Sequence, residues 1–288
     1  MATTDARFVL TLDCPDQPGI VHAVTGFLVE RGANILESQQ YGDAQSGRFL
    51  LRMDVSIADG AGVSAAGLAA DFAPVAERFS MTYDVWDTAV PRRVLVMVSR
   101  HLHCLNDLLF RHSTGTLPVE IPLVVSNHPD AEALARHHGR AFVHLPVTPE
   151  TKPQAEAALL DLVEEHRIDL VVLARYMQVL SDDLCRRLEG RAINIHHSFL
   201  PSFKGAKPYH QAFDRGVKLV GATAHYVTAD LDEGPIIEQD VLRVDHAHDQ
   251  AAMVAAGRDV EAQVLSRAVR WHAESRVLRH GHRTVVFR

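Results

Sequence analysis

Residues 192–201 have the sequence AINIHHSFLP, in which a short apolar run ends in polar side chains. The run predicts a buried strand, and Asn194 and His196 lie two positions apart, so their side chains emerge on one face of the extended chain. A second segment, ADLDEGP at residues 229–235, places carboxylates in a loop that contains Gly and Pro. An amide, an imidazole and a carboxylate can stabilise an oxyanion and move a proton without a metal ion. The two segments therefore predict a site for acyl chemistry.

The strand at residues 192–195 is one of several short apolar runs in the second part of the chain. Such runs predict strands at residues 94–98, 121–125, 142–145, 170–173 and 192–195. Helical patterns cover residues 130–138, 154–166 and about 249–277, the last with Gly257 as a weak point. Alternating strands and helices are typical of a mostly parallel sheet that is buried on both faces, with its ligand crevice at the carboxyl ends of the strands. Asn194 and His196 lie at one such end.

The first part of the chain predicts a βαββαβ order. Runs rich in β-forming residues predict strands at residues 8–12, 35–41, 48–55 and 81–86. After a turn-rich segment, one helix begins near Ile20 and ends near Gly32, and a second helix fits residues 63–79. Pro74 is expected to kink or interrupt this second helix. The order predicts a small ferredoxin-like α+β domain at residues 1–87.

The motifs of the second part resemble those of the folate-dependent formyltransferase family, with Asn194, His196 and Asp232 matching its catalytic trio. The resemblance continues through LP at residues 200–201, KG at 204–205, GATAHYV at 221–227 and DEGPII at 232–237. It implies a Rossmann-like, mostly parallel formyltransferase domain at residues 88–288, in which that trio is catalytic and His225 supports it. Without the resemblance, the alternative for Asn194 is a cap at the end of a strand, and the alternative for Asp232 is a solvated acid in a loop.

A pocket for the folate head is placed by the same resemblance. Residues 173–180, LARYMQVL, resemble the family's pterin-binding segment, where backbone groups face the pterin edge and apolar side chains cover its faces. The substrate-binding residues that the resemblance implies are Arg175, Tyr176, Met177, Gln178, Leu180, Lys204, Gly205 and Gly234. The alternative for this segment is the start of a helix that packs into the core.

The loop after the first strand of the second part bears on the acceptor of the formyl group. The family member that formylates glycinamide ribonucleotide has a glycine-rich loop there, which approaches a substrate phosphate. Here residues 99–109, SRHLHCLNDLL, contain no glycine, and their bulky side chains favour water as the acceptor. The resemblance thus implies hydrolysis of 10-formyltetrahydrofolate to tetrahydrofolate and formate, in one-carbon and purine metabolism, with folate as the substrate and no separate cofactor. Two alternatives stay open: a formyltransferase with an amine acceptor, and a non-catalytic sensor of folate and an amino acid.

The first part resembles the ACT domain, a small-molecule-sensing module, in DQPG at residues 16–19 and GANI at residues 32–35. The resemblance implies an amino-acid effector held by Asp16, Gly19 and Asn34. Such a site has a physical basis, because a turn that opens a helix presents free backbone N–H groups to a carboxylate. One alternative is a turn that only shapes the chain. Another is pairing of sheets between subunits, and we expect a homo-oligomer.

Composition limits the remaining classes. The 288 residues carry a net charge of −7, so no basic field attracts nucleic acid. No apolar run reaches the roughly 20 residues of a membrane span, and the first residues lack the pattern of a signal peptide. The three cysteines, Cys14, Cys104 and Cys185, lack metal-ligand spacing and fit a reducing cytoplasm. The 18 histidines include no His-Glu-x-x-His spacing, so the sequence predicts no metal site.

Overall fold

The computed structural model describes residues 5–58, 62–202 and 208–288. Within these ranges the chain forms two compact units. The first unit contains the residues up to Pro91, together with Glu274–His280 and Val285–Arg288, and the second contains Arg92–Ala273 and Gly281–Thr284. The sequence-based division placed every residue after position 87 in the second domain, whereas residues 88–91 and two C-terminal segments lie with the first unit.

The first unit is a four-stranded antiparallel sheet with two helices. Its elements are β1 (Ala6–Pro15), α1 (Ile20–Glu30), β2 (Ala33–Asp43), β3 (Arg48–Ile57), α2 (Ala65–Arg78) and β4 (Thr82–Asp87). The strands lie in the order β2-β3-β1-β4, and all three neighbouring pairs are antiparallel. Phe8, Leu10 and Leu12 of β1 alternate toward a core that also contains Phe27 and Phe72 of the helices. The predicted ferredoxin-like βαββαβ fold is confirmed.

Helix α2 differs from its prediction at Pro74. An interruption was one expected outcome there, but α2 continues through Pro74 to Arg78. The helix buries Leu68, Phe72 and Ala76, which lie four residues apart on one face. Packing of this face outweighs the single intrahelical hydrogen bond that a proline cannot donate.

C-terminal residues of the first unit join a charged network on its sheet. Arg52 of β3 points away from the core, because its neighbours in the strand belong to that core. Its guanidinium donates to Oε2 of Glu37 at 2.7 Å and to the carbonyl oxygen of Glu274 at 3.1 Å. Arg276 contacts the same Glu37 carboxylate at 3.2 Å. The buried Arg52 is thus paired by groups from β2 and from the chain end.

The second unit is built on a seven-stranded sheet. Its elements are β5 (Arg92–Val98), α3 (His103–Ser113), β6 (Val119–Ser126), a 3₁₀ turn (Pro129–Ala131), α4 (Glu132–His137), β7 (Ala141–His144), α5 (Lys152–Glu165), β8 (Leu170–Leu173), α6 (Asp182–Arg187), β9 (Ala192–His196), α7 (Pro208–Asp214), β10 (Leu219–Tyr226), β11 (Ile236–Arg243) and α8 (Gln250–Ala273). The strands lie in the order β11-β10-β9-β8-β5-β6-β7. The five from β9 to β7 are parallel, and β10 is antiparallel to both of its neighbours. The predicted mostly parallel α/β domain is confirmed.

Strands β5 and β8 mark the point where the strand order reverses. β6 and β7 lie on one side of β5, while β8 and β9 lie on the other. A ligand crevice forms at such a point, outside the carboxyl ends of the strands. Ser99, Ala174 and His196 lie at or directly after the carboxyl ends of β5, β8 and β9. The topology therefore places the predicted site where a parallel sheet binds ligands.

The last helix ends earlier than its pattern predicted. Helix α8 passes through Gly257 without a break and ends at Ala273, four residues before the predicted limit at Val277. The chain then forms a hairpin of β12 (Val277–His280) and β13 (Arg283–Val286), which the helical pattern did not predict. None of the helices in the described ranges combines the length and the apolar composition that crossing a bilayer requires.

Candidate active site

Two neighbouring antiparallel strands bring the predicted catalytic residues together. Asn194 and His196 lie on β9, and His225 of β10 is paired with Asn194 across the two strands. Asp232 lies in the loop between β10 and β11, where its backbone takes a φ of 58° in the left-handed region. Four side chains from three segments therefore meet at the carboxyl end of β9.

A short contact joins the imidazole of His196 to the carboxylate of Asp232. Nδ1 of His196 lies 3.2 Å from Oδ1 of Asp232, and both side chains are largely buried. Burial raises the pKa of Asp232, but the hydrogen bond from His196 and the positive charge of that imidazole outweigh burial and hold the pKa below its ordinary value. Asp232 is therefore ionised near neutral pH. Nε2 of His196 is buried and has no hydrogen-bond partner among the described residues, so its hydrogen-bonding capacity is unused in the structure.

His225 orients the amide of Asn194. Nδ1 of His225 lies 2.9 Å from the carbonyl oxygen of Tyr226, which can only accept, so Nδ1 carries the proton. Nε2 of His225 then accepts a hydrogen bond from Nδ2 of Asn194 at 3.2 Å. Burial lowers the pKa of His225, which keeps the ring neutral and this tautomer in place. The histidine thus acts on the site through the amide that it positions.

His197 adds a second imidazole beside His196 without adding charge. Burial and the nearby Arg175 lower the pKa of His197 to about 3. Its ring centroid lies 5.1 Å from that of His196 and 6.3 Å from that of Tyr209. Because the ring is neutral near pH 7, His197 does not compete with His196 for the negative charge of Asp232.

A cavity of about 700 Å³ opens at these residues, within the second unit. Its wall contains all four predicted catalytic residues and five of the predicted folate-binding residues, Arg175, Tyr176, Met177, Gln178 and Leu180. Met177 and Val179 are 52% and 58% exposed although both are apolar. Exposed apolar side chains in a concave wall are typical of a surface that a ligand covers.

The segment after β8 that is predicted to bind folate is an irregular loop. It is not the helix start that was the alternative interpretation, since α6 begins only at Asp182. The N–H of Met177 donates to Oγ of Ser99 at 2.9 Å, and Ser99 donates to Asn127 at 2.7 Å. Arg175 takes a left-handed φ of 64°. These bonds hold the loop to the end of β5, beside the cavity.

Three further residues were predicted to contact the substrate, namely Lys204, Gly205 and Gly234. Lys204 and Gly205 lie outside the described residues. Gly234 lies in the loop that carries Asp232, and a Cβ at this position would collide with the carbonyl oxygen of Tyr226. Glycine here therefore allows the loop to close against β10.

The residues predicted for an effector lie at the surface of the first unit. Asp16, Gly19 and Asn34 are all exposed. Gly19 takes a φ of 97° and precedes α1 without a side-chain cap, so the first N–H groups of this helix lack a side-chain acceptor.

A buried carboxylate next to the cavity was not predicted from the sequence. Glu261 of α8 is 1% exposed, and it accepts hydrogen bonds from the hydroxyl of Tyr209 at 2.7 Å and from Nε2 of His103 at 2.8 Å. Nε of Arg175 lies 3.4 Å from the same carboxylate. Burial raises the pKa of Glu261, but the bond from His103 and the charge of Arg175 outweigh burial and lower the pKa. Glu261 is therefore an ionised, paired group, and two of its partners, Tyr209 and Arg175, line the cavity.

His103, Cys104 and Glu261 are the residues in the described ranges that lie close enough together to share a metal ion. Two features oppose that use. The guanidinium of Arg175 lies beside the same oxygen of Glu261 that His103 contacts. Burial also raises the pKa of the Cys104 thiol well above its ordinary value, which disfavours the thiolate that a metal or an electrophile requires. The three residues fit a hydrogen-bonded cluster beside the cavity better than a metal centre or a nucleophile.

Family models match both parts of the chain. The model described as formyl transferase matches residues 92–269, and the ACT domain model matches residues 8–65. The formyltetrahydrofolate deformylase of Corynebacterium sp. strain P-1 is 56% identical over 282 residues, which are 98% of this chain and 98% of that protein. The formyltetrahydrofolate deformylase of Bacillus subtilis strain 168 is 49% identical over 279 residues, covering 96% of this chain and 93% of that protein.

A solved structure agrees with these relatives. The formyltetrahydrofolate deformylase from Pseudomonas syringae pv. tomato DC3000 superposes with a TM-score of 0.95 at 48% identity. The match covers 99% of this chain and 95% of that one, so both units have counterparts there.

Proposed function

The chain belongs to the formyltetrahydrofolate deformylase family, and from this premise we propose how its residues hydrolyse 10-formyltetrahydrofolate to tetrahydrofolate and formate. The enzyme is a hydrolase that acts on a formyl C–N bond. The observation that carries the assignment of roles is the contact between His196 and Asp232 in the cavity wall, with Asn194 in the same wall. The relatives favour neither the amine-acceptor alternative nor the sensor alternative.

The formyl carbonyl is polarised by Asn194 and His196. Nε2 of His196 and the amide of Asn194 donate hydrogen bonds to the formyl oxygen. The ionised Asp232 accepts from Nδ1 of His196 and favours the charged imidazolium, so positive charge faces the oxygen where negative charge develops. The hydrogen bond that Asn194 donates to His225 fixes the amide before the substrate arrives, which removes part of the cost of reorganisation.

Water then adds to the polarised carbon. The carboxylate of Asp232 takes the proton that the attacking water loses, since both nitrogens of the charged His196 already carry protons, and the tetrahedral intermediate carries its charge on the former carbonyl oxygen. Collapse of the intermediate reforms the C=O bond and breaks the bond between carbon and the folate nitrogen. That nitrogen takes the proton as it leaves, and the products are tetrahydrofolate and formic acid, which releases its proton to the solvent and becomes formate.

The folate head binds in the loop after β8, in our proposal. The residues assigned to it are Arg175, Tyr176, Met177, Gln178 and Leu180, with Lys204, Gly205 and Gly234 as further substrate contacts. Support comes from the exposed apolar side chain of Met177 in the cavity wall and from the hydrogen bonds that fix this loop. Folate is the substrate, and the steps above require neither a metal nor a separate cofactor.

We propose a regulatory role for the ACT domain. Asp16, Gly19 and Asn34 would bind an amino-acid effector through the uncapped start of α1. The protein would act as a homo-oligomer in the cytoplasm, with a link to purine synthesis and without nucleic-acid or membrane partners. Titration calorimetry of the full-length chain with single amino acids, repeated with Asp16→Ala, tests the effector site. Equal binding by both proteins would contradict the assignment of Asp16.

The activity is tested by formate release from 10-formyltetrahydrofolate with no amine acceptor present. A chelator-treated sample is measured in parallel. We expect release in both samples at the same rate, because amide, imidazole and carboxylate supply the chemistry. Release that chelation abolishes would contradict the metal-free mechanism, and no release in either sample would contradict the hydrolase itself.

A further inference from the structure

Tyr209 separates two cavities of the second unit. It lines the cavity of about 700 Å³ and also a second cavity of about 330 Å³. The walls of the two cavities share Tyr209 and His197. Much of the second wall is apolar, with Phe199, Ala212 and Val220 among its residues. The ring of Tyr209 therefore lies between the proposed catalytic cavity and an apolar space behind it.

Several contacts fix the ring of Tyr209. Its hydroxyl donates to Oε1 of Glu261 at 2.7 Å, while Oε2 of the same carboxylate is held by His103 at 2.8 Å. Arg175 pairs with Oε2 at 3.4 Å. The ring also packs on α8 at Gly257, where a Cβ would collide with it. The ring is therefore held at its hydroxyl and at its edge. Moving it aside would cost free energy, because the buried Glu261 would lose a hydrogen-bond donor.

We propose that Tyr209, fixed by Glu261, restricts the formyl acceptor to water. The inference rests on the proposed function, in which the formyl carbon lies beside Asn194 and His196. With folate in the larger cavity, a nucleophile bigger than water needs additional space next to that carbon. The second cavity offers such space on the far side of the Tyr209 ring. Tyr209 is thus a specificity-determining residue that acts by its volume.

Removal of the ring should admit an amine with an apolar substituent. The amine nitrogen forms a bond to the formyl carbon, and the bond from that carbon to the folate nitrogen breaks. The proton that the amine loses ends on the folate nitrogen, as the proton from water does in hydrolysis. The products are tetrahydrofolate and a formamide, so no oxidant, reductant or further reactant is needed.

The experiment uses O-benzylhydroxylamine, whose nitrogen is uncharged near neutral pH and whose benzyl group suits an apolar space. Full-length wild type, Tyr209→Ala and Tyr209→Phe receive 10-formyltetrahydrofolate and this probe, and mass spectrometry measures formate and the benzyloxyformamide. Tyr209→Phe is the matched control, since it keeps the ring and removes the hydroxyl. We expect the ratio of formamide to formate to rise at least about tenfold in Tyr209→Ala and by less than about threefold in Tyr209→Phe, which keeps the ring packed at Gly257 but loses its bond to Glu261.

The outcomes separate this inference from the proposed function. Formate release by Tyr209→Ala without additional formamide would contradict the role of the ring, whereas no formate release by wild type would contradict the hydrolase. An equal rise in Tyr209→Phe would also overturn the inference, because the hydroxyl rather than the volume would then decide the acceptor. If Tyr209→Ala does not fold, as judged by circular dichroism, Tyr209→Leu is measured by the same ratio and decides the question.

Discussion

Nδ1 of His196 lies 3.2 Å from Oδ1 of Asp232, although one residue ends strand β9 and the other lies in the loop after β10. This contact fixes the imidazole and compensates its charge within a largely buried site. We expect Asp232→Asn and His196→Ala each to lower kcat by at least ~100-fold, the scale of losing an acid–base or oxyanion-stabilising group. Formate release at saturating substrate measures the effect.

A histidine and aspartate pair outside the cavity provides the control for these variants. Nδ1 of His248 lies 2.9 Å from Oδ1 of Asp245, where the carboxylate is mostly exposed. His248→Ala should keep the wild-type kcat, and circular dichroism should show all variants folded. A turnover close to wild type in Asp232→Asn or His196→Ala would contradict the role assigned to that residue.

His225 offers a test of positioning. It accepts from Asn194 at 3.2 Å, so His225→Phe keeps a ring of similar size and removes the acceptor that orients the amide. We expect kcat to fall about tenfold while KM stays within about twofold, since the amide matters most when the oxyanion forms. A rise in KM with unchanged kcat would instead place His225 in substrate binding.

The fold was predictable where buried strands leave little choice of residue type. The predicted strand at residues 170–173 coincides with β8, and the one at residues 94–98 lies within β5, because strands covered on both faces are almost wholly apolar. The chain end was not predictable in the same way. Glu274–His280 mixes charged and apolar residues, and its place in the first unit depends on partners far away in sequence, such as Glu37.

The candidate site was predictable to a different extent for each residue. Asn194 and His196 follow from strand alternation and from their place at a strand end. Asp232 could be chosen only by family resemblance, because Asp230 and Glu233 stand beside it and no local pattern separates one loop acid from another. The contact between Asp232 and His196 joins residues far apart in sequence, so it is seen only in the folded structure.

Glu261 shows a signal that sequence analysis could have used. Val260, Val264 and Leu265 around it are buried on α8, so the glutamate interrupts an apolar helix face. A charged residue at such a position is rare unless it is paired. The pattern predicts that Glu261 has a buried partner, but it does not identify Tyr209 or His103, because both lie on other helices.

The buried Arg52 of the first unit leads to a prediction about stability. Burial and the nearby Arg276 lower the pKa of Arg52, while Glu37 and Asp54 compensate its charge. We expect Arg52→Ala to lower the free energy of unfolding by about 2–4 kcal/mol, because it removes a large buried side chain together with its hydrogen bonds to Glu37 and to the carbonyl oxygen of Glu274. Urea denaturation measures this loss. Arg136→Ala, which breaks an exposed pair with Glu132, should cost less than about 1 kcal/mol, and equal losses would contradict the argument.

Gly257 has no room for a side chain, because a Cβ there would collide with the ring of Tyr209. Gly257→Ala should therefore lower the free energy of unfolding by about 1–3 kcal/mol through overpacking. Gly26→Ala is the control, since Gly26 lies in α1 with nothing within 4 Å of its Cβ position, and it should stabilise by about 0.4–1 kcal/mol. Combining Gly257→Ala with Tyr209→Ala should remove most of the overpacking cost. Strict additivity of the two losses would show that the collision is not the cause.

The ionised Glu261 predicts how stability depends on pH. The pKa of Glu261 is lowered in the folded chain, because the effect of burial, which raises it, is outweighed by His103, Arg175 and Tyr209. As pH falls, the carboxylate is therefore protonated at a lower pH in the folded state than in the unfolded state. The ion pair therefore stabilises the fold fully above the unfolded value of about 4.3, and this contribution is lost as pH falls through the folded value. We expect the difference in free energy of unfolding between wild type and Glu261→Gln to shrink between pH 5.5 and pH 3. A difference that grows over this range would mean that burial dominates and that the pKa of Glu261 is raised instead.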